Sequence, residues 1–241
     1  IRTVDPNHIV YIEGNGFAND FSSMRPPWDT NMVYSFHKYW SYNNDNSLDW
    51  VINLRNVFNV PLWLGESGEN SNTWFTNLVS LAERKNIGWS WWPVKKSGIN
   101  SILQVKTNSA YTQLINYWKG SGSKPSVDAA YQAVMTYSDN HKFENCIIQY
   151  DVIDALIRQP HTTDIKPYKL YDVNDYIFTS DYAFGRNAYA YFDKDTADYH
   201  LETDAFQAWN SGWALRNDGV DIEKCFDADT TNGYSVGWTS D

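Results

Sequence analysis

Residues 60–68 read VPLWLGESG, and this stretch decides the fold. The apolar run from Val60 to Leu64 has no polar face, which describes a short strand buried on both sides rather than a surface helix. Three runs of the same kind lie around it: His8–Gly14 (HIVYIEG), Asn31–His37 (NMVYSFH) and Ile87–Val94 (IGWSWWPV). Stretches with apolar residues at helical spacing separate them. Ser47 is placed to cap a helix carrying Leu48, Val51, Ile52, Leu54 and Phe58. A helix near Asn72–Asn86 sets Trp74, Phe75, Leu78, Val79 and Ala82 on one side, and another near Ser109–Trp118 closes the series. Such alternation predicts a parallel sheet covered by helices.

Four strand–helix units in residues 1–120 amount to half of an eight-stranded barrel, which takes about 250 residues. The opening IRTVDPNH reads as the tail of a helix and a loop, and a half barrel alone leaves two strand edges unpaired. The expected fold class is α/β: the C-terminal half of a TIM (β/α)8 barrel, with an N-terminal half outside these residues, followed by a partial all-β sandwich. The competing expectation is a complete small doubly wound sheet. Lys119–Pro125 (KGSGSKP) is a Gly/Ser/Pro hinge and the best boundary in the chain. Two helical stretches follow, near Ser126–Asp139 and Glu144–Gln159. Past Lys166 and Pro167, short aromatic runs such as AYAYFD and YSVGWT read as strands of a sandwich. The expected division is therefore 1–120, a helical extension or linker at 121–172, and a partial β-sandwich at 173–241.

Composition narrows the partners. The chain has 241 residues, 19 basic and 29 acidic side chains and a net charge of −10, which argues against a nucleic-acid backbone or an anionic membrane. No apolar run approaches the ~18 residues of a membrane span. Cys146 and Cys225 form no metal-binding spacing, so neither zinc nor a disulfide framework is expected, and they are silent on compartment. The outstanding feature is the 12 Trp, 17 Tyr and 11 Phe, whose flat rings suit a core and also stack on sugar rings.

Glu66 is the sharpest candidate for chemistry. Following Val60–Gly65, it sits at the C-terminal end of a strand, the end at which β/α barrels react. A carboxylate there suits attack on an anomeric carbon; the plainer reading is a loop Glu favoured by the next helix dipole. His37 and Tyr39, two residues apart, fall on one side by alternation, beside Glu66, where a phenol would orient the carboxylate and an imidazole would bind a hydroxyl. Alternation also puts Trp89 and Trp91 on one face and Trp92 on the other, so at least one is core. Lys95 and Lys96 reach either hydroxyls or solvent. Glu13, ending the first strand, is a conceivable second carboxylate, or else bonds loop backbone. HExxH, GxSxG and phosphate-loop motifs are absent.

Together, VDPNHIVYIEG, HKY, LGESG and GWSWWPVKK resemble the C-terminal half of a family 5 glycoside hydrolase, the cellulase-like retaining β/α barrels. The resemblance covers residues 1–120. It implies that Glu66 is the catalytic nucleophile, that His37 and Tyr39 are the family's His-x-Tyr pair, and that Trp92, then Trp91, is the sugar platform. It implies no cofactor and no metal for catalysis. The family's acid/base belongs to an Asn-Glu-Pro motif that this sequence lacks, and Glu13 matches a position without that duty. The implied activity is that of a retaining endo-β-glycanase fragment acting on β-linked plant or microbial polysaccharide, inactive by itself and needing its N-terminal half. The alternative is a non-catalytic carbohydrate-binding protein with an incomplete barrel. Within residues 173–241, YAFGRNAYAYFDKDTADYH, NSGWALRNDGVDIEKC and NGYSVGWTSD resemble the first part of a family 6 carbohydrate-binding module, which implies a sugar-stacking role for Trp238 and allows a structural calcium ion. A polysaccharide substrate implies an extracellular or cell-surface location.

Overall fold

The computed structural model describes residues 1–193, 215–228 and 231–237. β-Branched and aromatic side chains extend Val10–Glu13 (β1) and Met32–His37 (β2), with a single turn at Asn15–Ala18 (α1) between them. Leu62–Glu66 (β3) and Gly88–Trp89 (β4) complete a four-stranded parallel sheet in the order β1-β2-β3-β4. The helices Asp49–Phe58 (α2) and Asn72–Arg84 (α3) form the crossovers. Side chains of both join Tyr34, Phe36, Leu62 and Leu64 in one core, so both cover the same face of the sheet. A doubly wound sheet reverses its strand order and carries helices on both faces. The unreversed order and one-sided cover match an arc of barrel wall instead.

The face away from the helices is lightly covered. Tyr11 and Trp63 meet there edge to face, with ring centroids 5.9 Å apart, and Tyr11 is exposed. Among the described residues the sheet is not closed: β1 and β4 are its edges.

Several local readings are corrected. Ser47 does not cap α2; its hydroxyl donates to the Asn44 carbonyl, and buried Leu48 occupies the cap position as a turn carries the chain into the helix. Ser71 does cap α3, accepting from the Trp74 amide at 3.2 Å. The helix ends at Arg84, and Asn86 turns left-handed (φ 54°) to enter β4.

Beyond β4, Lys95–Lys96 (β5) and Leu103–Gln104 (β6) pair in parallel, and Ile147–Ile148 (β7) joins β6 antiparallel. Helix Ser109–Trp118 (α4) packs on Val127–Asp139 (α5), where Tyr111 and Tyr137 stack at 3.9 Å. The expected helix over Glu144–Gln159 is broken, because the β-branched pair Ile147–Ile148 is drawn onto β6. Helix begins only at Tyr150 and runs to Ile157 (α6). This helix lies against α3, and its Val152, Ala155 and Leu156 belong to the main core.

In the C-terminal region the described strands are Ile222–Lys224 (β8) and Tyr234–Val236 (β9), an antiparallel pair. A two-stranded pair is not yet the expected sandwich, and Trp238 lies outside the described residues. Cys146 and Cys225 are free thiols. Among the described residues no helix is long and apolar enough to cross a membrane.

Candidate active site

The C-terminal ends of β1, β2 and β3 bring Glu13, His37, Tyr39 and Glu66 together. Strict alternation along β3 would send Glu66 to the helix side, since Trp63 and Gly65 face away from it. The ladder instead slips between Phe36 and His37: Phe36 pairs with Leu64, and His37 pairs with Glu66. Gly65 is thus an extra residue, and the irregularity re-aims Glu66 to the side of His37. Backbone and hydroxyl bonds lock this end of the sheet. The Lys38 amide donates to the Glu66 carbonyl at 3.1 Å, Ser67 Oγ to the Lys38 carbonyl at 2.7 Å, and the Trp92 amide to the Ser67 carbonyl at 2.8 Å. Ser90 Oγ donates to the Gly65 carbonyl.

Tyr39 donates its hydroxyl proton to Glu66 Oε2 at 3.2 Å. His37 Nδ1 lies 3.5 Å from the same oxygen, and its Nε2 lies 3.2 Å from Glu13 Oε1, so the imidazole bridges two carboxylates. His37 is 12% exposed, Glu66 34% and Glu13 58%, a gradient from a fixed imidazole to accessible carboxylates. Burial, and then the charge of Glu66, raise the Tyr39 phenol well above its ordinary value. It therefore stays a donor to the carboxylate rather than a competing anion. Glu13 bonds an imidazole, not the loop backbone that was its plainer expectation.

Lys38, between the two site residues, points the other way. Its buried ammonium donates to the carbonyls of Ser41 and Tyr42, at 3.2 and 3.0 Å, and to Ser41 Oγ, and it stands 5.7 Å from the Trp74 ring centre. Burial pulls its pKa down to about 8. This lysine anchors the loop after β2. Sequence reading missed it; its one signal was its place in the HKY triplet, out of phase with two site residues.

The tryptophans divide. Trp91 is 9% exposed and packs edge to face on Phe75 at 4.8 Å and near Trp89 at 5.8 Å, a core position. Trp92 is 51% exposed and its backbone bridges to Gly68, two residues past Glu66. Lys96 pairs with Glu69 at 3.3 Å, and Lys95 donates to the His141 carbonyl, so both ammonium groups have protein partners. Among the described residues no group of three or more His, Cys, Asp or Glu side chains is arranged to hold a metal ion.

Comparison with known proteins bears on this site. Residues 1–98 match the model of the family described as Cellulase (glycosyl hydrolase family 5). That stretch contains the whole four-stranded sheet, Glu13, His37, Tyr39, Glu66, Trp91 and Trp92. No curated protein matches the chain. Among solved structures, the Clostridial cellulose synthase subunit Z from Clostridioides difficile is 17% identical with a TM-score of 0.41, covering 65% of this chain and 52% of that one. The catalytic domain of Thermobifida fusca endoglucanase Cel5A (E5) is also 17% identical, with a TM-score of 0.36 and coverage of 59% and 48%. This chain spans about half the length of each.

Proposed function

We propose that this chain carries the nucleophile-bearing part of a retaining glycoside hydrolase acting on a β-linked glucan or mannan. The observation that carries the reading is the carboxylate of Glu66, held through Oε2 by Tyr39 and His37 at the C-terminal end of a parallel sheet. Held there, Oε1 of Glu66 attacks the anomeric carbon. A glycosyl ester forms as the bond to the leaving oxygen breaks, and that oxygen takes a proton from a second carboxylic acid. Water then displaces Glu66 with the second group acting as base; retention needs the two carboxyl groups about 5–5.5 Å apart. The phenol of Tyr39 stabilises the ionised nucleophile before attack and again as it leaves. Exposed Trp92 offers a face on which a pyranose stacks.

In this proposal the acid/base and four further strands come from outside the described residues. They would close the sheet over Tyr11 and Trp63. Sequence past residue 173, with Trp238, would hold polysaccharide near the site and raise its effective concentration. Polymeric substrate places the protein outside the cell or on its surface.

The test joins this chain to a complementary barrel half and assays β-glucan and β-mannan hydrolysis. Glu66→Gln should abolish turnover while oligosaccharide binding persists; undiminished turnover in that variant would remove the assignment. Binding without turnover in the joined, unsubstituted protein would instead support a carbohydrate-binding role centred on Trp92.

A further inference from the structure

The loop from Glu66 to Asn72 is held at both ends, and the far anchor comes from a distant part of the chain. Its middle is conformationally demanding: Gly68 has φ 152° and Glu69 has φ 54°, the latter a left-handed backbone that an L-residue does not prefer. The near end is fixed by the bonds among Glu66, Lys38, Ser67 and Trp92. At the far end, Asn217, 147 positions away, donates from Nδ2 to the Asn70 carbonyl at 2.8 Å, and its own carbonyl accepts the Asn72 amide at 2.8 Å. The Asn217 amide donates to Asp151 Oδ2 at 2.8 Å, and Asn72 Nδ2 donates to Asp151 and to Asp218 at 2.8 and 2.7 Å. Arg216 pairs with Asp218 at 2.6 Å and lies 3.9 Å over the Tyr182 ring.

Asn70, Asn72, Asp151, Arg216, Asn217 and Asp218 are all buried, and Arg216 Nε and Asn217 Oδ1 have no hydrogen-bond partner among the described residues. An apolar plug of the same volume stabilises a fold at least as well as a buried ionic cluster with unsatisfied atoms. What the polar cluster adds is direction: it grips two particular carbonyl and amide groups of the glutamate loop.

We propose that Asn217 is a positioning residue for Glu66, fixing the loop so that its first residue keeps the carboxylate on Tyr39. This rests on the reading of Glu66 as nucleophile. An error of about 1 Å in placing a reacting group costs on the order of a hundredfold in rate.

Two measurements on Asn217→Ala separate this inference from that reading. In the 241-residue chain, hydrogen exchange at the amides of Ser71 and Asn72, which bond Asn70 Oδ1 and the Asn217 carbonyl, should quicken at least tenfold more than at α2; unchanged protection there overturns the clamp whatever the enzyme does. In the joined, active protein, kcat should fall at least tenfold with KM little changed. Thr76→Val, which removes a bond from α3 to the Ala155 carbonyl without touching the loop, should lower stability and leave kcat per folded molecule intact. Equal kcat losses in both variants would mark Asn217 as structural only. Absence of hydrolysis in the unsubstituted joined protein would overturn the nucleophile reading and leave the exchange result to decide the clamp.

Discussion

Gly68→Ala is the sharpest perturbation the structure offers. A methyl group at Gly68 would sit roughly 1 Å inside the closest approach that real Cβ atoms make to a carbonyl oxygen, here that of Trp92. Main chain, not a rotatable side chain, stands in the way, and both strands of the contact are tied: Gly68 and Trp92 form a bridge, and the Trp92 amide bonds Ser67. Two penalties combine. Placing alanine at this glycine-type φ costs about 1–3 kcal/mol, and overpacking costs about as much again. A loss of about 2–6 kcal/mol lowers Tm by roughly 5–20 °C in a chain of this size. The control is Gly120→Ala, where φ is 78° and a Cβ would meet nothing within 4 Å, so that strain acts alone at about 1–2 kcal/mol. Thermal and urea unfolding of the three proteins measures the difference. Oligosaccharide titration should show weakened binding only in Gly68→Ala, because the loop and Trp92 must part to admit the methyl. If both variants lose the same stability, or Gly68→Ala loses less than about 0.5 kcal/mol, the close approach of these two segments is wrong.

Other expectations follow from the same geometry. Trp91→Ala should cost about 3–5 kcal/mol as a core truncation, whereas Trp92→Ala should change stability by under about 1 kcal/mol and weaken glycan binding instead; melting and titration with the order reversed would refute the division. Lys38 has a folded pKa of about 8 against 10.5 in the unfolded chain. Between those values the unfolded state binds more protons, so this group makes stability rise with pH, by up to about 2 kcal/mol from pH 8 to 10. Tyr39, raised on folding, works in the opposite sense above pH 10, so the window closes there. Urea unfolding at pH 7, 8, 9 and 10 should show the rise in the natural chain and lose it in Lys38→Met.

Much of this was legible in sequence for a definite reason. β2 is buried at every position from Met32 to Phe36, and such a strand has to read as an unbroken apolar run. The helices α2 and α3 have one wet face, so their period shows. Glu66, His37 and Tyr39 were legible because strand ends are marked where apolar runs stop. What stayed hidden depends on pairing. Gly65 looks like any strand residue, yet it is the extra one that turns Glu66 toward His37, and a register slip leaves no local trace. Ile147 and Ile148 fit a helical pattern until β6 claims them. Asn217 carries no signal at all; its role exists only once residues 70, 72, 151 and 217 meet.

The packing of α6 on α3 bears on how this protein can be subdivided. The family match ends at residue 98 and the Gly/Ser-rich KGSGSKP segment invites a cut at 119–125, yet neither is a safe place to divide the chain. Trimming there would strip Val152, Ala155 and Leu156 from the wall that backs the glutamate, leaving a bare hydrophobic flank. Anyone shortening the gene should therefore keep the sequence through Asp218, and treat what looks like an appendage as a buttress.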